Sequence, residues 1–371
     1  MKIGFDGKRA VQNFTGLGNY SRFVLSLLAQ HYPENEYHLY TPKKAKINPG
    51  IPDPVQYHCP SGFLNRPLWR SKFVVSDLKK DKIELFHGLS NELPYGISQS
   101  GIPSVVTIHD LIFLRFPDYY PYLDRKIYKY KFEYACKNAS RIIAVSKQTK
   151  QDIMSFFRIR ESKIDVVYQG CNQLFQHAAS SEALAKIKQE YNLPEKFLLN
   201  VGTIEERKNL LLIVKALTTV PKDVKLVVIG RETEYTKEVK EYIAANHLYE
   251  RVIFLKNVPL ADLPLIYRCA EIFVYPSRFE GFGIPVIEAL YSGVPVIAAT
   301  GSCLEEAGGP LTCYVHPQDE VQLGWHINTL LNNSVKKKQM VAEGHLYVQK
   351  FTEEKLAKNL IETYQKALSN A

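Results

Sequence analysis

Short apolar blocks, several rich in β-branched residues, alternate along the chain with longer stretches in which apolar positions recur three and four apart. The first block is KIGFD at the N-terminus, followed by the loop GKRAVQNFTGLGN. Tyr20, Phe23, Val24, Leu27 and Leu28 then share one face of a helix. Tyr37–Tyr40, Ile83–His87, Ser104–His109, Arg141–Val145 and Ile164–Val167 read as further strands. The pattern pauses in the polar stretch Gln169–Leu193 and restarts at Phe197–Gly202, with Asn209 opening a helix. It continues through Lys225–Gly230, Arg251–Leu255, Ile272–Tyr275 and Val294–Ala298. Strands alternating with helices predict parallel sheets wrapped by helices. The restart predicts two doubly wound Rossmann-like α/β domains, over residues 1–175 and 176–350. A final helix lies within 351–371; its stripe of Leu356, Leu360, Ile361, Tyr364 and Leu368 is expected to pack back on the first domain. Such sheets bind ligands beyond the carboxyl ends of their strands, so two facing domains would share one cleft.

A chain of 371 residues is long enough for two cores. Its 46% hydrophobic and 23% charged residues are those of an ordinary globular protein. No run approaches the ~20 apolar residues of a membrane span, and the N-terminus lacks a signal-peptide stretch. Six scattered cysteines without a C-x-x-C pair argue against a zinc site or a disulfide framework and for a reducing cytoplasm. The net charge of +9 suits anionic partners. It is densest over 121–150, where Arg125, Lys126, Lys129, Lys131, Lys137, Arg141, Lys147 and Lys150 meet only Asp124 and Glu133, with Tyr122, Tyr128, Tyr130 and Tyr134 interleaved. Two readings fit this stretch: a solvated helix face, or a surface resting on anionic lipid at the inner face of the cytoplasmic membrane. No nucleic-acid-binding motif accompanies the charge, and no nucleic-acid partner is expected.

Four constellations carry candidate chemistry. In RFEGFGIPVIEALYSGVPVIAA, a strand ends near Pro276 and Pro285 can open a helix. Gly281 and Gly283 allow a tight turn, and the amides from Gly281 through Phe282 and Gly283 to Ile284 suit an anion. Glu280 before the turn and Glu288 one turn inside the helix can each accept hydrogen bonds from a polyol, as a nucleotide-sugar would require. In VGTIEERKN, Gly202 and Thr203 end a strand, and Arg207 and Lys208 precede a helix that Asn209 can cap. The loop FTGLGNY places Gly16 and Gly18 after the first strand, but the full G-x-G-x-x-G/A dinucleotide fingerprint is not met. His109 ends an apolar strand, and a similar strand end carries His87, Asn91 and Glu92. There is no G-x-S-x-G elbow, H-E-x-x-H or P-loop.

The stretch Glu280-Gly-Phe-Gly-Ile-Pro-Val-Ile-Glu-Ala289 resembles the E-x7-E signature of retaining glycosyltransferases of family 4, whose GT-B architecture is a pair of facing Rossmann-like domains. The run from Gly202 to Asn209 is similar to that family's G-x-x-x-x-R-K-N motif. The resemblance implies that Glu280 contacts the transferred sugar, Glu288 holds the donor ribose, and Arg207 and Lys208 neutralise the diphosphate. It places Gly16 and Gly18 near the donor phosphates and His109 at the transferred sugar, and leaves His87, Asn91 and Glu92 as acceptor contacts.

The implied activity moves a hexose, with retention, from a nucleoside diphosphate sugar to a hydroxyl of a glycan or lipid-linked acceptor in cell-surface glycan, polysaccharide or glycolipid assembly. GDP-mannose is the first choice of donor, ahead of a UDP-sugar, because the glycine-loop and R-K-N variants resemble mannosyltransferase branches. No cofactor is implied. The metal-bridging Asp-x-Asp of the other main glycosyltransferase fold is missing, so no metal is expected. Two alternatives share these features: a sugar-nucleotide 2-epimerase, and a non-catalytic nucleotide-sugar-binding partner subunit.

Overall fold

The computed structural model describes residues 1–44, 49–60 and 68–369. The chain divides into two compact units, Met1–Gln169 with Phe351–Ala371, and Gly170–Lys350. The division falls six residues before the one expected at 175/176. The physical reason is Phe175, which is fully buried against Tyr267, while its carbonyl accepts from Arg268, so the stretch 170–175 is anchored in the second unit.

The first unit holds a parallel sheet of β1 (Lys2–Asp6), β2 (Glu36–Tyr40), β3 (Val55–His58), β4 (Leu85–Gly88), β5 (Ser104–Ile108), β6 (Arg141–Ala144) and β7 (Ile164–Val166). Its spatial order is β3-β2-β1-β4-β5-β6-β7. Both faces are covered, as parallel sheets require. The two-residue period divides the strands between two cores: Phe5, Leu85, Val105 and Ile143 on one side, Phe86, Val106, Ile142 and Ala144 on the other.

On the first side pack the helix Gly16–His31 and the C-terminal helix Glu353–Ser369. The Gly16–His31 helix buries Tyr20, Val24, Leu27 and Leu28 and stops before Pro33. The Tyr37 hydroxyl lies 2.8 and 2.6 Å from the Leu28 and Tyr32 carbonyls at that end and shares its one hydrogen between them, while the Leu28 carbonyl also accepts from the Tyr32 amide. The C-terminal helix buries Leu356, Leu360, Ile361 and Tyr364; Leu368 is only partly buried. Lys366 on this helix reaches Asp165 at 2.9 Å, and Arg141 holds the same carboxylate.

The second unit repeats the design with β8 (Phe197–Val201), β9 (Lys225–Ile229), β10 (Val252–Leu255), β11 (Ile272–Tyr275), β12 (Val296–Ala299) and β13 (Cys313–Val315), in the order β10-β9-β8-β11-β12-β13. Two strands escape the hydrophobic pattern. In β3 only Val55 is buried, because the strand lies at a sheet edge, and β13 has just three residues, Cys-Tyr-Val.

In each sheet the chain first builds outward on one side and then crosses to the other. The reversal lies between β1 and β4 in the first unit and between β8 and β11 in the second. Neighbouring loops leave in opposite directions at such a point, which opens a crevice at the carboxyl ends of the strands.

Candidate functional site

In the second unit, the loops after β8 and β11 meet at the reversal point and bring together the two halves of the E-x7-E and R-K-N constellation. Glu280 is at the centre, with its side chain 12% exposed. Lys208 donates to Oε1 of Glu280 at 2.7 Å, and Arg207 pairs with Oε2 at 2.9 Å. The hydroxyls of Ser277 and Tyr275 add bonds of 2.7 and 3.0 Å to Oε1. Burial by itself would raise the Glu280 carboxyl, but the two cations outweigh it and hold the group at about 2, so it is ionised at neutral pH. Arg207 also donates to the Phe279 carbonyl and to Glu205, and Lys208 to the Tyr275 hydroxyl. A guanidinium carries five donors and an ammonium three, so both cations keep donors beyond these bonds.

The loops are fixed by contacts that no local motif announces. Asn209 sits in the left-handed region with φ +61°. It was expected to cap the following helix Leu210–Ala216, but its side chain makes no capping bond there. Instead its amide donates to the carbonyls of Pro276 (3.1 Å) and Pro317 (2.8 Å), which ties the two loops together. The Cys303 thiol is buried within 3.0 and 3.1 Å of the Glu280 and Phe282 carbonyls. Gly202 and Thr203 leave β8 pinned to the end of β9, through bonds from Gly202 N to Ile229 O and from Ile204 N to Arg231 O.

Gly283 precedes the helix Ile284–Tyr291 with φ +121°, and a Cβ there would meet Leu304 at 2.8 Å. The Phe282 side chain is enclosed in the fold, so a ligand could use only its backbone. Glu288 lies one turn inside the helix and accepts from Tyr267 at 3.1 Å. Burial pushes its carboxyl up to about 7, with the tyrosine bond opposing in part. The two glutamates of one motif therefore differ in charge: Glu280 is ionised, while Glu288 titrates near neutrality.

In the first unit the expected residues separate. His87 was a candidate acceptor contact, but it has no exposed surface; Tyr364 and Thr107 occupy its ring nitrogens at 2.7 and 2.8 Å. Burial holds its pKa down at about 3, so it is a neutral link between sheet and C-terminal helix. Asn91 is likewise buried, and its side-chain oxygen accepts from the His109 amide. His109 donates from Nε2 to the Leu89 carbonyl and contacts Gln169 through Nδ1. Its ring meets Tyr20 edge-on at 4.6 Å, and burial lowers its pKa to about 4. The residue as a whole is 7% exposed at the end of β5.

Gly16 begins its helix in open space, whereas a Cβ on Gly18 would lie 1.7 Å from the Asn13 carbonyl oxygen. Gly18 is required there by close packing of its own loop. Glu92 lies in a different setting, a cavity at the reversal point that it lines with Asp6, Lys8, Arg70, Tyr95 and Lys131. Of these only Glu92 was a candidate from sequence. Among the described residues no group of three or more His, Cys, Asp and Glu could hold a metal ion, and no helix is long and apolar enough to cross a membrane.

Residues 181–347 match the family model of glycosyl transferases group 1, and residues 22–173 that of Glycosyltransferase Family 4. The chain is 27% identical over 298 residues to O-antigen chain mannosyltransferase B of Escherichia coli, covering 78% of this chain and 76% of that protein. It is 28% identical over 217 residues to O-antigen chain mannosyltransferase RfbU of Salmonella typhimurium, covering 58% and 57%. Among solved structures, Anabaena Alr3699/HepE in complex with UDP-glucose matches with a TM-score of 0.77, covering 98% of this chain and 99% of that one. At 19% identity that likeness is one of fold.

Proposed function

Because the chain belongs to the GT-B glycosyltransferases of family 4, we propose that it transfers mannose from GDP-mannose, with retention of anomeric configuration, to a hydroxyl of a glycan or lipid-linked acceptor in cell-surface polysaccharide assembly. The two mannosyltransferase relatives support this choice of sugar. The observation that carries the reading is Glu280, kept ionised by Arg207 and Lys208 where the β8 and β11 loops meet.

In the reaction the bond from the anomeric carbon to the diphosphate breaks, and a bond to the acceptor oxygen forms. The acceptor proton leaves with the nucleoside diphosphate. Negative charge grows on the departing diphosphate while the sugar turns oxocarbenium-like. Arg207 and Lys208 retain donors for the diphosphate, and such fixed donors each contribute about 3–4 kcal/mol where they have been removed one at a time. The Glu280 carboxylate suits the positive character of the sugar. Glu288 in its ionised form suits two ribose hydroxyls. Two fixed cations at the leaving group make activity in EDTA the expected result.

A panel of nucleoside diphosphate sugars tested by thermal shift, followed by acceptor-dependent nucleotide release, tests the reading. Stabilisation by GDP-mannose ahead of UDP-hexoses is expected; stabilisation by none of them would overturn it. A strict metal requirement would refute the two-cation scheme.

The helix Tyr122–Asn138 bears on where the protein works. It buries only Ala135 and Cys136 and leaves Tyr122, Leu123, Ile127 and Tyr130 at least half exposed beside Arg125, Lys126 and Lys129. Apolar side chains among cations on a surface helix suit an anionic bilayer interface. Salt-sensitive co-sedimentation with phosphatidylglycerol vesicles is expected, and equal sedimentation with neutral vesicles would return the helix to a solvated face.

A further inference from the structure

The charged cavity of the first unit has no part in the donor chemistry above. It lies at the carboxyl ends of β1 and β4, where the strand order reverses, and has a volume of about 210 Å3. That is small beside the roughly 300–1,000 Å3 of most ligand pockets, so it suits one sugar ring and a substituent better than an extended chain.

Its charges are unevenly paired. Arg70 reaches Asp6 through Nε at 3.0 Å and through Nη2, and reaches Glu92 through Nη1 at 2.7 Å. Lys131 stands 3.5 Å from the other oxygen of Glu92. Both carboxylates are thus occupied. Lys8 also lines the cavity, and its ammonium makes no hydrogen bond or ion pair with any described residue. Three cations against two carboxylates leave a surplus of one positive charge; among the described residues Lys8 makes no close ion pair, and Glu92 and Asp6 act on it only from further off, against Arg70 and Arg9. A partly desolvated, unpaired lysine favours an anion far more than a neutral hydroxyl. Beside it, Tyr95 offers an aromatic face to the C–H surface of a sugar, braced by the Tyr134 ring at 4.7 Å.

We propose that this cavity is the acceptor subsite and that it selects a saccharide carrying a phosphate group, bound through Lys8 with Lys131 beside it. The inference rests on the transferase reading, since only a second substrate gives the cavity this role. The phosphate belongs either to a free sugar phosphate or to a lipid-linked sugar diphosphate, and the recognition chemistry is the same for both.

The test titrates the full chain, with its donor site saturated by a nucleoside diphosphate, using mannose 1-phosphate, mannose, and mannosyl diphosphate polyprenol in detergent micelles. Expected is tighter binding of a phosphorylated probe than of mannose, weakened at least tenfold by Lys8→Gln and less by Lys131→Gln. Lys8 dependence confined to the polyprenol form assigns the phosphate to a lipid. Binding of mannose as tight as that of the phosphorylated probes, or phosphorylated probes indifferent to Lys8→Gln, or no binding of either, overturns the inference. Circular dichroism of both variants excludes misfolding as the cause of a loss. Thermal shift with the nucleoside diphosphate sugars on the same wild-type preparation separates the two readings. Donor binding without Lys8-dependent phosphate binding sinks the acceptor subsite alone; absence of donor binding sinks the transferase reading and the acceptor role with it.

Discussion

The two reversal points are built from the same parts in different proportions. In the second unit one carboxylate, Glu280, is shared by two cations, Arg207 and Lys208. In the first unit one cation, Arg70, is shared by two carboxylates, Asp6 and Glu92; Lys131 also meets Glu92, and Lys8 forms no ion pair with a described residue. A carboxylate held by two cations is locked in its charged form and leaves cationic donors over for a polyanion. A guanidinium held by two carboxylates has its charge offset and its orientation fixed as a strut, and ligand recognition passes to the neighbouring lysines. The same fold position thus supports either a reactive ion cluster or a rigid frame, according to whether a carboxylate or a guanidinium is the group shared between partners of opposite sign.

The largest expected effect distinguishes the strut from the cluster by stability. Arg70→Met leaves the 5%-exposed Asp6 without its partner, and should lower the unfolding free energy by about 3–5 kcal/mol in urea titration. Arg207→Met should lower it less, because Lys208 still pairs with Glu280. Equal losses would erase the distinction between the two points.

A somewhat smaller effect, in activity, comes from Lys208→Ala. Transfer should fall about 10²–10³-fold with the unfolding midpoint nearly unchanged, since Arg207 continues to neutralise Glu280. A variant that retains full turnover would remove Lys208 from the site.

The third effect concerns pH. The Glu288 carboxyl is raised in the folded protein to about 7, so its contribution to stability is fully present below the usual carboxylate range, near 4.5, and is lost as pH rises through about 7. Glu280 has the opposite sign: its contribution is present above about 4.5 and fades as pH falls toward 2. Glu288→Gln should therefore abolish a decline of roughly 2–3 kcal/mol between pH 5 and 8, measured by denaturation at each pH. The same variant should lose the rise in donor affinity across pH 7. A wild-type stability curve that is flat over this window would contradict the raised carboxyl.

The second site was largely legible because each of its halves is one contiguous run. Arg207 and Lys208 follow β8 directly, and Glu280 and Glu288 flank a glycine turn after β11. Spacing alone places such residues on a loop or on the first turn of a helix. Of the first site only Glu92 was legible, since Asp6, Arg70, Glu92 and Lys131 come from four separate segments, and an arginine within PLWRSKF carries no signal of its own. His87 shows the converse error. A polar residue at a strand end resembles a ligand contact, but Tyr364, 277 residues further along the chain, closes over it.

The order of hydrophobic and polar residues by itself determined the alternation of strands and helices and the presence of two units, and local residue types placed Glu280, Glu288, Arg207 and Lys208 beside a turn or a helix start. These depend on periodicity and on backbone needs that act over a few residues. Tertiary structure decided which charges meet: that Glu280 stays ionised while Glu288 titrates near neutrality, that Asn209 ties loops instead of capping a helix, and that Arg70, not Lys8, takes the close bonds to Asp6 and Glu92. Electrostatic state depends on burial and on the nearest opposite charge, and both are set by chain segments that lie far apart in sequence.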